Sequence, residues 1–259
     1  MPVLDQKALA PQRWDNLRTL IRERGVIRIE DLCRQLKVSP ATMRRDLDQL
    51  EQGGAIRRVH GGAVSVESRL EEPMFADKAS LAVREKRRIA EAALMFIEPG
   101  DTIYLDGGST VLELARLLRD RTNLTVVTNS LRAAHELSGR GPRLILIGGE
   151  LRRLSQTMVG PLTRLVLHEL HLDKAFMGTI GFSAKEGLTT TDPSEAFTKE
   201  MVMGQARQVI VLADSSKAGK VSFASAGRWN NVHVLITDKH MDKDLSKQLI
   251  KNGIKLVRA

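Results

Sequence analysis

The sequence predicts an α/β chain of two parts: a small three-helix unit closed by a β-ribbon, then a mostly parallel open sheet covered by helices. Three observations predict it. Residues 10–66 carry apolar stripes at helical spacing and end on two short apolar runs around a glycine turn. From residue 84 onward, short apolar runs alternate with amphipathic segments, the pattern of a parallel sheet buried on both faces. A length of 259 residues suits two domains.

The elements follow in order. Trp14, Leu17 and Ile21 repeat at helical spacing after Pro11, a favoured first-turn residue, and Gly25 is a natural stop. Ile29, Leu32, Cys33 and Leu36 give the stripe of a second helix. Ser39-Pro40 reads as an N-cap with proline at the first helical position. Met43, Leu47 and Leu50 form the seam of a third helix, ended by Gly53-Gly54. Residues 55–59 and 63–64 read as strands around Gly61-Gly62. Residues 67–83 mix charges with Pro73 and read as a linker. Beyond it, helices are expected near 84–97, 110–119, 130–138, 161–170, 194–206 and 242–252. Strands are expected at 102–105, 124–127, 144–147, 174–177, 209–213, 232–236 and 254–257. The domains are therefore expected at 9–66 and 84–259.

Composition narrows the function. Hydrophobic residues at 42% and charged residues at 27% exclude a mostly disordered chain. No apolar run reaches the roughly 18–20 residues of a membrane span. The first residues lack an apolar leader segment, and Cys33 is the single cysteine, so a reducing cytoplasm is the expected setting. Forty Lys and Arg against 31 Asp and Glu give a net charge of +9, which favours a polyanionic partner. Aromatic residues are only 3%, too few for base-stacking platforms, so duplex DNA is preferred over a single strand.

The third helix has the chemistry for that partner. With Met43, Leu47 and Leu50 inward, Arg45 points almost directly outward, Ala41, Asp48 and Gln52 share its side, and Thr42, Arg44 and Gln49 flank it. Arg reads guanine and Gln reads adenine in a major groove. Arg57 and Arg58 beside the glycine turn suit phosphate contacts. Asp46 lies about 60° from the inward face, where a carboxylate needs a partner; Arg13 is the candidate, in a structural role.

These residues carry a resemblance. Arg13-x3-Leu17-x3-Ile21, then Ser39-x2-Thr42-Met43-Arg44-Arg45-Asp46-Leu47, followed by residues 54–63 (GAIRRVHGGA), resemble the winged helix-turn-helix of the DeoR family. The resemblance implies a transcription regulator, usually a repressor of sugar-catabolic genes, with its helix-turn-helix at about residues 26–45. The face expected on operator DNA comprises Ser39, Ala41, Thr42, Arg44, Arg45, Asp48 and Gln49, with Arg57, Arg58 and His60 in the wing.

In the larger part, the strand at 102–105 runs into Asp106-Gly107-Gly108-Ser109-Thr110 and a helix. Glycines there let backbone N–H groups face an anion, and the helix dipole favours it. The loop is neither a Walker A motif nor G-x-G-x-x-G, so no nucleotide cofactor is expected. Other strand ends carry Thr128-Asn129-Ser130, Gly148-Gly149-Glu150 and Asp214-Ser215-Ser216-Lys217, and ligands of open parallel sheets bind beyond such ends. Lys217 can supply a compact positive charge. In this order, with Gly160-Pro161 and residues 173–178 (DKAFMG), the motifs resemble the DeoR effector domain, which is similar in fold to ribose-5-phosphate isomerase. The resemblance implies a phosphorylated sugar as inducer, a phosphate loop at Gly107–Thr110, a contact from Lys217, and Glu195 and Lys199 facing the sugar.

A rival reading is a sugar-phosphate isomerase fused to a DNA reader. Such isomerases resemble Asp-Gly-Ala-Asp-Glu at a strand end. Here Asp173 keeps one acid, while Phe176 and Met177 stand at the later positions, and general acid–base work needs a pair. His168 and His171 lack the H-E-x-x-H spacing, so no metal is expected. No catalytic residue is therefore assigned. The chain is expected to work as a homo-oligomer, dimer or tetramer, because one winged module gives limited specificity on DNA.

Overall fold

The structure, a computed structural model, describes residues 10–24, 26–52, 56–59, 62–65, 72 and 75–259. The chain divides between residues 71 and 72 into two compact units.

The first unit contains α1 (Ala10–Arg24), β1 (Val26–Arg28), α2 (Ile29–Leu36), α3 (Pro40–Gln52), β2 (Ile56–Val59) and β3 (Gly62–Ser65). Leu17, Ile21, Leu32, Met43, Leu47, Leu50 and Ile56 form its core, so the apolar stripes of all three helices meet. Cys33 packs against this core. The α3 start is capped: the Thr42 backbone N–H donates to Ser39 Oγ at 3.2 Å, and Pro40 opens the helix. Asp46 is buried and fully engaged. Arg13 donates from Nε to Oδ2 at 2.6 Å and from Nη2 to Oδ1 at 3.0 Å, and Trp14 Nε1 donates to Oδ1 at 2.8 Å. The three strands pair antiparallel in the order β1-β3-β2. β1 was not expected: three residues are too short to show a period, and its partner β3 lies far along the chain.

The second unit opens with α4 (Phe75–Ser80) and α5 (Val83–Ala93). Then come β4 (Thr102–Leu105), α6 (Ser109–Leu117), β5 (Thr125–Thr128), α7 (Leu131–Leu137), β6 (Arg143–Leu146), β7 (Glu150–Arg152) and β8 (Thr157–Val159). It continues through α8 (Arg164–Leu167), β9 (Leu172–Met177), β10 (Gly181–Ser183), β11 (Gly187–Thr190), α9 (Pro193–Gln205) and β12 (Ala206–Leu212). Last are β13 (Ala224–Gly227), β14 (Val234–Thr237), α10 (Lys243–Lys251) and β15 (Lys255–Arg258). Seven strands pair in the order β15-β14-β12-β9-β4-β5-β6, all in parallel. Alternate residues feed two cores. Ile103, Leu105, Phe176, Ile210 and Leu212 face one side, and Tyr104, Ala175, Met177, Val209 and Val211 the other. Burial on both faces is why these strands read as continuous apolar runs.

Residue 72 and residues 75–83 correct the linker reading of 67–83. Phe75 is buried in the core, with the Arg132 guanidinium 4.2 Å from its ring centroid, and Glu72 and Lys78 are buried as an ion pair. Mixed charge suggested solvent, but opposite charges can be buried together when each finds its partner. The hairpin β7-β8 and the antiparallel sheet β10-β11-β13 were also not expected, because strands of three or four residues carry almost no periodic signal.

From β4 the sheet grows one way through β5 and β6, and from β9 the other way through β12, β14 and β15. The switch point therefore lies between β4 and β9, where a ligand cleft is expected at the carboxyl ends of the strands.

Candidate functional site: a helix face and a cleft

The exposed side of α3 carries Ala41, Arg44, Arg45 and Gln49, with Thr42 and Asp48 half-buried beside them. Met43, Asp46, Leu47 and Leu50 are buried on the opposite side. Ser39 is exposed, and its hydroxyl lies 3.0 Å from that of Thr42. Arg57 and Arg58 sit in β2, paired with Val64 and Ala63 of β3. His60 lies outside the described residues.

The outward placement of Arg45 on α3, taken with the residues expected on DNA, yields a first prediction. Arg45→Ala is expected to cost about 1–3 kcal/mol at the cognate operator and to relax one base preference. Arg57→Ala or Arg58→Ala should instead weaken binding evenly across sequences and lower the salt slope by about one. Salt titrations of binding by the three variants check this; equal slopes in all three would refute the division.

In the second unit, the carboxyl ends of β4, β9 and β12 meet at an open cleft. Gly107–Val111 come from the β4–α6 turn, Gly178–Ile180 follow β9, and Leu212–Asp214 and Lys217 come from β12 and the turn after it. Glu195 and Lys199 reach it from α9, Ser155 from the β7-β8 turn, and Glu72 and Lys78 from the start of the unit.

The turn is built for close backbone approach. A Cβ at Gly107 would come within 2.2 Å of Thr157 Cγ2, and Gly108 holds φ at +132°, a region that disfavours side chains. Gly108 is the N-cap of α6 and has no side chain with which to cap it. Among the described residues, the first turn of α6 therefore lines the cleft without a side-chain acceptor on its N–H groups.

Several lysines surround this turn. Lys217 is half-buried, and burial holds its ammonium below the ordinary lysine range; Asp214 opposes this, while Lys220 and Lys78 add to it. Among the described residues no carboxylate lies within ion-pairing distance of it. Lys86 is lowered in the same way, chiefly by burial, and its ammonium donates to the carbonyls of Lys78 and Leu81. Crowded cations of this kind gain from an anion among them.

Lys199 and Asp106 are both expected on the ligand; Lys199 lines the cleft and Asp106 does not. Each side chain is only 3% exposed, and they form an ion pair. Asp106 also accepts from the Gly178 backbone N–H at 2.9 Å, and Lys199 donates to the Gly178 carbonyl at 3.0 Å. Burial works to lower the Lys199 ammonium, but Asp106 and Glu195 outweigh it and hold it above the ordinary range. Together the pair clamps the β4 turn to the β9 turn beneath the cleft. Glu195 is raised by burial against the pull of Lys199, and it sits 3.4 Å from Arg152 Nη1.

Besides Asp106, five expected residues do not line the cleft. Thr128 donates to the Leu105 carbonyl at 2.7 Å, Asn129 donates to the Met158 carbonyl at 2.8 Å, and Ser130 caps α7. A Cβ at Gly149 would meet Thr163 and Val159, and Gly148 stands open. Thr128 ends β5 and the others follow β5 or β6, on one side of the switch point, and strand order is not written in the local sequence. Glu72, Lys78 and Ser155 were missed, since α4 is too short for a periodic signal and the β7-β8 turn has no recognisable motif.

Asp173 is at the other end of its strand. It accepts from the Thr102 backbone N–H at 2.9 Å and from Arg207 Nη1 at 3.2 Å, near the amino ends of β9 and β4. Among the described residues, no group of three or more His, Cys, Asp or Glu side chains is placed to hold a metal, and no helix is long and apolar enough to cross a membrane.

Comparison with known proteins agrees with both units. Residues 13–69 match the DeoR-like helix-turn-helix domain and residues 81–239 the DeoR C terminal sensor domain. The chain is 38% identical over 240 residues to the lactose phosphotransferase system repressor of Streptococcus mutans, covering 91% of this chain and 95% of that protein. It is 32% identical over 249 residues to the putative aga operon transcriptional repressor of Escherichia coli O157:H7, covering 95% and 93%. A solved ribose 5-phosphate isomerase from Methanocaldococcus jannaschii aligns with 51% of this chain and 53% of its own, at a TM-score of 0.39 and 21% identity. A helix-turn-helix followed by a sensor domain defines a transcriptional regulator that carries its own ligand-responsive unit. The chain belongs to the DeoR family of such regulators.

Proposed function

We propose that the chain represses sugar-catabolic genes, holding duplex operator DNA through α3 and the β2-β3 wing as a dimer or tetramer, and releasing it when a phosphorylated sugar enters the cleft. The observation that carries the effector half is the uncapped first turn of α6 behind Gly107-Gly108, with Lys217 beside it. A phosphate there gains backbone N–H donors, the helix dipole and an ammonium. The repressor half is supported by the relatives, which are named as repressors of sugar systems. The cleft is read as a sensor rather than an active site: Asp106 is bound by Lys199 and Gly178, and Asp173 stands at the opposite strand end. A cytoplasmic location follows from the task of binding operator DNA.

The test is operator release with a panel of sugar phosphates, run beside calorimetry and an assay for isomerised product. Lys217→Ala and Gly108→Val should keep operator affinity and lose release by the sugar phosphate that acts on wild type. Affinity for that effector should also fall with rising pH, and at a lower pH than an ordinary lysine would set. The depressed Lys217 loses its proton earlier than an ordinary lysine, and phosphate binding must restore it. Normal release in both variants refutes the site, and turnover refutes the sensor.

A further inference from the structure

Two cleft residues come from outside the sheet loops, and they hold each other. Glu72 is the first residue of the second unit, and its side chain is 1% exposed. Its Oε1 pairs with the Lys78 ammonium. Its Oε2 lies 2.7 Å from Arg152 Nη1 and accepts from the Thr191 hydroxyl at 3.1 Å. Lys78 is itself buried, and its carbonyl accepts from the Lys86 ammonium and, at 3.4 Å, from Ser109 Oγ in the first turn of α6. Lys78 therefore stands beside the glycine turn with its charge spent on a carboxylate. Burial works to raise the Glu72 carboxyl, but Lys78 and Arg152 outweigh it and keep it ionised.

A phosphate in the cleft and the Glu72 carboxylate compete for one ammonium, and two anions at contact distance in a half-dry site repel. Glu72 is the nearest carboxylate to Arg152, at 2.7 Å, but Asp192 and Glu195 each lie 3.4 Å from the same guanidinium and stay as counter-charges when Glu72 leaves. Glu72 is thus the carboxylate that can leave without stranding an arginine.

We infer that Lys78 is a phosphate-binding residue occupied by Glu72, and that a phosphate monoester enters the cleft by displacing that carboxylate, freeing the chain at the start of the second unit. This rests on the sensor reading above. It gives that reading a coupling step: what favours the Glu72–Lys78 pair disfavours ligand, and the reverse holds equally.

The test uses the full chain with inorganic phosphate as probe, by calorimetry and hydrogen exchange. Glu72→Gln keeps the shape and the Thr191 contact but removes the charge, and is expected to tighten phosphate about tenfold, within the usual range of coupling. Lys78→Met should weaken it by a similar factor. In the double variant, which buries no unpaired charge from this pair, the gain from Glu72→Gln should largely vanish. In wild type, phosphate should speed exchange of the amides in 72–80. Unchanged or weaker binding by folded Glu72→Gln, an equal gain in the Lys78→Met background, or slower or unchanged exchange at 72–80 with phosphate bound each overturns the displacement. In any of these cases phosphate binding that is lost in Lys217→Ala leaves the sensor site standing. If neither wild type nor folded Glu72→Gln binds phosphate, the sensor site falls with it.

Discussion

Asp46→Ala is expected to abolish operator binding by unfolding the first unit rather than by removing a DNA contact. The carboxylate accepts three hydrogen bonds, from Arg13 and Trp14, and ties the start of α1 to the middle of α3. Removing it leaves the Arg13 guanidinium, 18% exposed, without this partner, and leaves the indole N–H unpaired. Breaking a buried pair from one side costs about 3–5 kcal/mol. A unit of this size rarely has more than about 3–5 kcal/mol to lose. Circular dichroism should therefore show reduced helix and an early melting step, and fluorescence anisotropy should show no specific operator binding. An Asp46→Ala chain that holds operator within a few-fold of wild type would show that the apolar core alone sets the geometry of α3.

The second large effect is expected at Asp106. Asp106→Asn leaves the Lys199 ammonium buried with, among the described residues, only Glu195, 3.5 Å away, as a charged partner. The expected cost to the second unit is about 3–5 kcal/mol. The double change Asp106→Asn with Lys199→Met removes both charges and should recover most of that loss, because a buried pair replaced by groups of similar volume is often neutral. Thermal melts of the single and double variants check this. A single variant as stable as wild type would mean that Lys199 finds its counter-charge elsewhere.

Much of both units is legible in the sequence because their helices and long strands are periodic. The seam Met43–Leu47–Leu50 places Asp46 near the core and Arg45 outside, so the helical wheel shows that Asp46 needs a partner, and the structure supplies Arg13. The glycine turn at 107–108 is legible because its geometry restricts residue type: one position has no room for a Cβ and the next has positive φ. Short elements are not legible. β1, β7, β8 and α4 span three to six residues each, too few for a pattern to rise above chance.

The alternation of strands and helices, the outward face of α3 and the anion-ready turn before α6 are each set by residues within a few positions of one another, so the order of amino acids is enough to read them. Which strand ends share a cleft is a matter of packing in three dimensions. Strand order follows from which apolar faces meet, so Lys217, more than a hundred residues after Gly108, belongs to the cleft, while Asn129 is turned to the Met158 carbonyl. Packing also made Lys199 the partner of Asp106 and Glu72 the partner of Lys78. A buried charge is matched by whatever opposite charge the fold brings within reach, and spacing along the chain carries no record of that choice.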